Sequence, residues 1–254
     1  MRSFLLFCVL VLAAPSAFSQ AVASNVYSWP LSPVVRHPTY EERTFLSGIT
    51  RDFSNLTVQA ITLFANQPAH PAQELDEEVL LIIKAGELTL TIGEKRTQLG
   101  PGSIVLLMPG DAHRLENKSS QPLTYYQIRY MSNEMPDLDL YRLMGTSFWV
   151  DRKEMGRITP DNEGNRPIID TGTIMAKRLT AHVTTLSPGS KAYSPHRHRA
   201  AEIVIVVEGA VQERIDETQQ GVLAGDVIFL EPNTLHSLQK NSQEQCTYFV
   251  LQFE

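Results

Sequence analysis

The sequence predicts an all-β protein built from two tandem copies of one sandwich- or barrel-like unit. Two observations carry that prediction. From residue 56 onward the chain breaks into short apolar runs, among them 56–63, 79–83, 88–92 and 104–108, separated by Gly, Pro and Asn. Short strands with turn signals about every 8–12 residues are the pattern of a β-sandwich or barrel, and long amphipathic helices are missing. The second observation is internal repetition at an offset of 123 residues. Without a gap, Leu56, Thr57, Thr62 and Leu63 fall on Leu179, Thr180, Thr185 and Leu186, Gly86 on Gly209, Gly102 on Gly225, Pro109 on Pro232 and His113 on His236. The run 104–107 falls on 227–230 and Tyr126 on Phe249, so one shift aligns turn, strand and polar positions together.

Taken in order, Met1-Arg2, the apolar run 4–14 and the small residues Ala17 and Ser19 predict a signal peptide over 1–19, cleaved after Ser19. The apolar run falls short of the ~20 residues a membrane span requires, so the expectation is an exported protein, periplasmic or extracellular, with no membrane span. Only Cys8 and Cys246 are present, which leaves the mature chain without an internal disulfide and Cys246 as a packed thiol. A net charge of −6 and the absence of a basic stripe exclude nucleic acid as an expected partner. Residues 20–50, with Pro30, Pro33 and Pro38, read as an N-terminal arm that packs along a domain. The first barrel is expected over 51–145, closing on a short helix at 136–145 between Pro136 and Gly145. A linker follows at 146–168, where Trp149 is expected to pack the junction, and the second barrel at 169–254.

The chemistry concentrates in 189–209. In an extended segment His196, His198 and Glu202 share one face, and the apolar run 203–207 supports a buried strand after them. Two imidazoles and a carboxylate suit a divalent transition metal (Mn, Fe, Ni, Cu, Co or Zn) better than Ca or Mg. The repeat supplies a further candidate, because a neighbouring strand could bring His236 against the three. In the first half the ungapped counterparts are Gln73, Leu75 and Val79, and only His113 remains, as a possible pocket residue. A register slid by one would instead turn Glu74 and Glu78 inward toward His113; otherwise the acidic run 74–78 is a solvated strand entrance.

Residues 196–209 resemble the cupin family, whose first motif, His-x-His-x3-Glu-x6-Gly, they match at every defined position. The second motif, Gly-x5-Pro-x-Gly-x2-His-x3-Asn, is kept at Gly225 and His236; Glu231 replaces Pro, Asn233 replaces Gly and Asn241 sits one place late. In the first half Gly102, Gly110, His113 and Asn117 are in place and Met108 replaces Pro. The resemblance covers both halves and implies a bicupin: two tandem jelly-roll-like β-barrels with few short helices. It further implies one divalent metal on His196, His198, Glu202 and His236, with affinity falling below pH ~6.5 as the imidazoles protonate. The expected function is a metal-dependent enzyme of dioxygenase or decarboxylase type acting on a small oxygen-rich compound; the alternative is a non-catalytic metal- or ligand-binding module. Exported bicupins with this ligand set resemble oxalate decarboxylases and quercetin-type dioxygenases, whereas ureidoglycine aminohydrolases carry a differently ordered motif. Catalytic residues are not assigned. Arg197, Arg199 and Tyr193 are candidates to steer an anionic substrate at the mouth, although strand parity puts the two arginines on the face away from His196. Pairing of barrels through sheet edges makes a homodimer the expected assembly.

Overall fold

The computed structural model describes residues 20–67, 71–137, 139, 142–143, 146–155, 164–187, 194–240 and 244–254. The expected signal peptide, Tyr193, Asn241 and half of the helix expected at 136–145 lie outside the described residues. Among the described residues, no helix is long and apolar enough to cross a membrane.

Regular secondary structure among the described residues is nearly all strand. Its first half contains β1 (Asn25–Tyr27), β2 (Val34–Arg36), β3 (Tyr40–Gly48), β4 (Phe53–Leu63), β5 (Glu78–Ala85), β6 (Leu88–Ile92), β7 (Lys95–Leu99), β8 (Ile104–Leu107), β9 (His113–Glu116) and β10 (Leu123–Ser132). The second contains β11 (Phe148–Val150), β12 (Gly164–Thr171), β13 (Leu179–Leu186), β14 (Ala201–Glu208), β15 (Ala210–Ile215), β16 (Thr218–Leu223), β17 (Val227–Leu230), β18 (His236–Gln239) and β19 (Cys246–Phe253). Each half has one large sheet, ordered β11-β8-β5-β10-β4-β3-β2 and β1-β17-β14-β19-β13-β12, faced by a three-stranded sheet, β7-β6-β9 and β16-β15-β18. The ladders do not close around either barrel, so each is an open jelly roll whose two sheets sandwich a core.

Strand parity divides the apolar residues among three cores. On β5, Val79, Leu81 and Ile83 fill the first barrel, while Leu80 and Ile82 face the other way. On β14, Val204 and Val206 fill the second barrel, while Ile203 and Ile205 face the first half. The outer faces of the two large sheets therefore pack on each other and form a core shared by both halves. Continuous rather than alternating hydrophobicity in these strands follows from burial on both faces. Phe53, Tyr130 and Phe253 meet edge-on across this core with centroids 5.1–5.6 Å apart, in the offset and T-shaped geometries that aromatic quadrupoles favour.

The first strand of each half pairs with the opposite half. β1 adds to β17, and β11 adds to β8. The exchange is reciprocal in detail. Ser24 Oγ accepts a bond from the Glu231 N–H at 2.8 Å, and Ser147 Oγ one from the Met108 N–H at 2.8 Å. The Trp29 N–H donates to Asp226 Oδ1 at 2.7 Å, and the Arg152 N–H to Ser103 Oγ at 3.0 Å. Trp29 lies over Gly225 as the Arg152 stem lies over Gly102. Each pair is related by the same offset of 123, which thus reaches into the arm and the linker, where strand sequences as different as Asn25-Val-Tyr27 and Phe148-Trp-Val150 hide it.

This exchange accounts for one departure from the cupin pattern. Glu231 and Met108 occupy the motif's Pro position, and both use a backbone N–H that proline lacks to bind the crossing segment. The other departure is conformational. Asn233 has φ 65° and its counterpart Gly110 φ 80°, so Asn fills a left-handed turn position that it tolerates better than other side chains.

Candidate metal centre

The loop entering β14 and the start of β18 bring three histidines together. His196 and His236 form an isolated antiparallel bridge, with N–H to carbonyl bonds of 3.0 and 3.1 Å in the two directions. The Asn233 N–H donates to the His198 carbonyl at 2.8 Å and fixes the rest of the loop. One ring nitrogen from each of His196, His198 and His236 lies within 4.8 Å of the others. His196 is exposed, His198 intermediate and His236 buried, so the cluster sits at the mouth of the barrel.

The tautomers are set by the backbone. Each Nδ1 lies against a carbonyl oxygen two residues away: Ser194 at 3.2 Å for His196, Ala200 at 2.9 Å for His198 and Thr234 at 2.9 Å for His236. A carbonyl only accepts, so each Nδ1 carries a proton, and in His196 and His236 the Nε2 lone pair is left for the shared space. His236 Nε2 is buried without a hydrogen-bond partner. An orphaned buried acceptor facing two further imidazoles is what a cation-binding site requires, and the donor set fits a divalent transition metal.

Glu202, at the start of β14 and on the same inward parity as Val204, lies beside the three histidines. Its Oε2 lies 3.1 Å from His198 Nε2 and accepts a 2.8 Å bond from Gln252 Nε2, and its Oε1 lies 3.9 Å from His236 Nε2. Burial would raise this carboxyl, but the hydrogen bonds from His198 and Gln252 and the adjacent imidazoles hold it below the usual carboxylate range. The Glu202 bond raises His198, while desolvation lowers His236. His198 needs a proton on Nε2 to bind Glu202, and a divalent ion would take that proton's place.

Behind the cluster a cavity of about 250 Å³ runs into the barrel. His182, Gln252 and Glu213 line it with His196, Glu202 and His236, and none of the first three is singled out by the sequence motifs. The signal was present in strand parity. Glu213 shares a face of β15 with the core residues Val211 and Ile215, and a carboxylate on an apolar face is anomalous.

The other sequence candidates lie apart from the cavity. Arg197 donates to the Asn233 carbonyl at 2.8 Å, and Arg199 makes a bidentate pair with Asp52 of the first half at 3.0 Å for each bond. Cys246 is buried in β19 and its thiol is pushed up to about 11 by desolvation, as a packed residue should be.

The first half holds the equivalent space without the metal ligands. Gln73 and His113 form the bridge that His196 and His236 form in the second half, which confirms the ungapped register. Its cavity of about 380 Å³ is lined by Gln73, Leu75, Gln59, Gln127, His113 and Arg129 among others. The slid register that turned Glu74 and Glu78 inward does not occur. Glu74 is exposed, and Glu78 lies in the shared core, where its Oε1 accepts the Met175 N–H at 3.1 Å. Nor is the acidic run a solvated entrance throughout, because Glu77 is 8% exposed and pairs with Arg129 Nε at 2.7 Å.

The profile of the AraC-like ligand binding domain matches residues 58–141 and 187–254. The chain belongs to this family. No curated protein sequence matches it. Among solved structures it is similar to AerE from Microcystis aeruginosa (TM-score 0.68, 13% identity, 88% of this chain and 97% of that one). It is also similar to a putative glyoxylate-induced protein from Pseudomonas aeruginosa (0.68, 16%, 95% and 93%) and to a mutant of Bacillus subtilis oxalate decarboxylase (0.64, 12%, 94% and 80%). A cupin 2 conserved barrel domain protein from Leptotrichia buccalis aligns over 94% of this chain and all of its own (0.62, 10%). At these identities the likeness establishes the cupin barrel fold.

Proposed function

We propose that this AraC-like ligand binding protein holds one divalent transition metal on His196, His198, His236 and Glu202, and that it is an exported, metal-dependent enzyme of dioxygenase or decarboxylase type acting on a small oxygen-rich compound. The observation that carries the reading is the convergence of three backbone-locked imidazoles, one with an orphaned buried Nε2. Four protein donors on an ion that prefers about six leave roughly two positions for water or ligand oxygens. Bound there, the ion would supply Lewis acidity, or oxygen activation if it is Fe, Mn, Ni or Cu. The chain's own residues supply orientation. Gln252 fixes the Glu202 carboxylate, the Ser194, Ala200 and Thr234 carbonyls fix the imidazoles, and Val204, Leu238 and Val250 give the cavity its apolar lining.

Family membership favours a second reading, a module that binds a small ligand at the metal without turning it over. Oxygen uptake and CO2 release by the native, metal-analysed protein over a panel of chelating acids and phenols separate the two. Consumption of a panel member that stops on chelation supports the enzyme; tight binding without consumption supports the module.

A further inference from the structure

Glu213 is a buried acid of the cavity that the metal cluster does not use. It is 1% exposed, it lines the cavity, and its Oε1 has no hydrogen-bond partner. Desolvation, with the Glu202 charge adding to it, pushes the carboxyl up to about 9, so near neutral pH it is a carboxylic acid with a proton to donate. Val204, Leu238 and Val250 line the cavity with it, and the polar lining residues, His182, Thr184 and Gln252 among them, leave its Oε1 without a hydrogen bond. Its partner across the β15–β18 ladder is Leu238.

The fold itself does not call for an acid here. The repeat places Leu90 at the same position of the first barrel, on β6, where it is fully buried in the core. A buried polar group left unpaired is destabilising, a penalty that Leu90 avoids and Glu213 incurs. Such a group is satisfied when a ligand brings the missing acceptor.

We propose that the Glu213 carboxyl recognises the inner end of the ligand, so that the cavity selects small molecules with a metal-binding oxygen at one end and a hydrogen-bond-accepting oxygen at the other, joined by a short apolar middle. The inference rests on the metal reading above and names the ligand class that the site takes. A cavity of about 250 Å³ lies below the ~300–1,000 Å³ usual for drug-sized ligands, which limits that middle to a few carbons. Glu213 is a recognition residue, and a hydrogen bond from it to a carboxylate or carbonyl would be worth about 1.5–3 kcal/mol where the acceptor is charged, at least tenfold in affinity.

The test uses full-length protein loaded with Zn²⁺, which is redox-inert, and two matched probe pairs, malonate with propionate and succinate with butyrate, measured by calorimetry. In the wild-type protein one diacid or both should bind at least tenfold more tightly than the matched monoacid. Glu213→Leu, which installs the first barrel's residue, should bring that ratio to within about twofold of one with Zn²⁺ stoichiometry unchanged. Glu213→Gln keeps a neutral donor and should retain most of the preference. A second readout does not depend on the leucine variant folding: the infrared C=O band of a protonated carboxyl, assigned by its loss in Glu213→Gln, should shift when a diacid binds and stay in place with a monoacid. An unchanged ratio in Glu213→Leu, a stationary band, or no preference in the wild type overturns the proposal. Failure of the metal reading looks different, because Zn²⁺ binding would then survive His236→Ala.

Discussion

The two barrels share a backbone and differ in what lines it. Where the second half places His196, His198 and Glu202, the first places Gln73, Leu75 and Val79 on the same bridge and strand. Where Gln252 steadies Glu202, Arg129 stands instead, tied to Glu77. Where Glu213 faces the cavity, Leu90 fills a core. One half therefore presents a candidate cation-binding, acid-backed cavity, and the other a polar cavity in which Arg129 is paired with Glu77. The shared core and the exchanged first strands hold the two together. That division lets one barrel lose its ligands while it still supplies half of the interface on which the other stands.

Substitutions that erase or exchange these differences should have graded effects. The largest is expected for His198→Ala, which removes one ligand and the bond to Glu202; divalent metal affinity should fall at least about 100-fold by competition titration against a chelator, near the upper range for lost metal-site groups. Next is a graft. Gln73→His, Leu75→His and Val79→Glu, combined with Arg129→Gln to remove the local positive charge, should give the first barrel a metal site and raise metal content to two equivalents per chain. The same three substitutions with Arg129 retained should leave it at one.

A third effect separates Glu213 from Leu90. The Glu213 carboxyl moves from an ordinary 4.5 to about 9 on folding. Between those values the folded protein keeps a proton that the unfolded chain has lost. Unfolding free energy therefore falls as pH rises across this window, by up to about 1.4 kcal/mol per pH unit from this group. Denaturant titrations of metal-free protein at pH 5.5, 7 and 8.5 should show that contribution, and Glu213→Gln should lose it. The smallest effect concerns the strand exchange. Ser24→Ala removes the bond to the Glu231 N–H and Ser147→Ala its counterpart to Met108; each should cost about 1–2 kcal/mol, and similar losses would show the two crossings to be energetically equivalent.

Much of this was legible in the sequence, for physical reasons that differ from element to element. The two barrels and the His-x-His-x3-Glu cluster were readable because turn glycines and ligands tolerate few substitutes. At Gly209 a Cβ would lie 2.2 Å from the Gln245 carbonyl oxygen, and at Gly86 2.5 Å from that of Pro122, so both repeats keep glycine in a left-handed turn. The strand exchange was not readable, since β1 and β11 hold their places through backbone bonds and two serines, which many side chains around them can accompany. Glu213, His182 and Gln252 escaped for another reason. They reach the cavity from strands outside both motifs, and the pairing of β13, β14 and β19 and of β15 with β18 puts them beside the histidines; only the parity of Glu213 with Val211 and Ile215 hinted at it.

The central claim is that the two halves, alike in backbone, differ in holding a metal. Elemental analysis of protein purified under mild conditions, with His236→Ala and His113→Ala made in parallel, tests it most directly. One equivalent of a divalent transition metal in the wild type, kept in His113→Ala and lost in His236→Ala, is the expected result. Metal retained in His236→Ala, or lost in His113→Ala, would contradict the account.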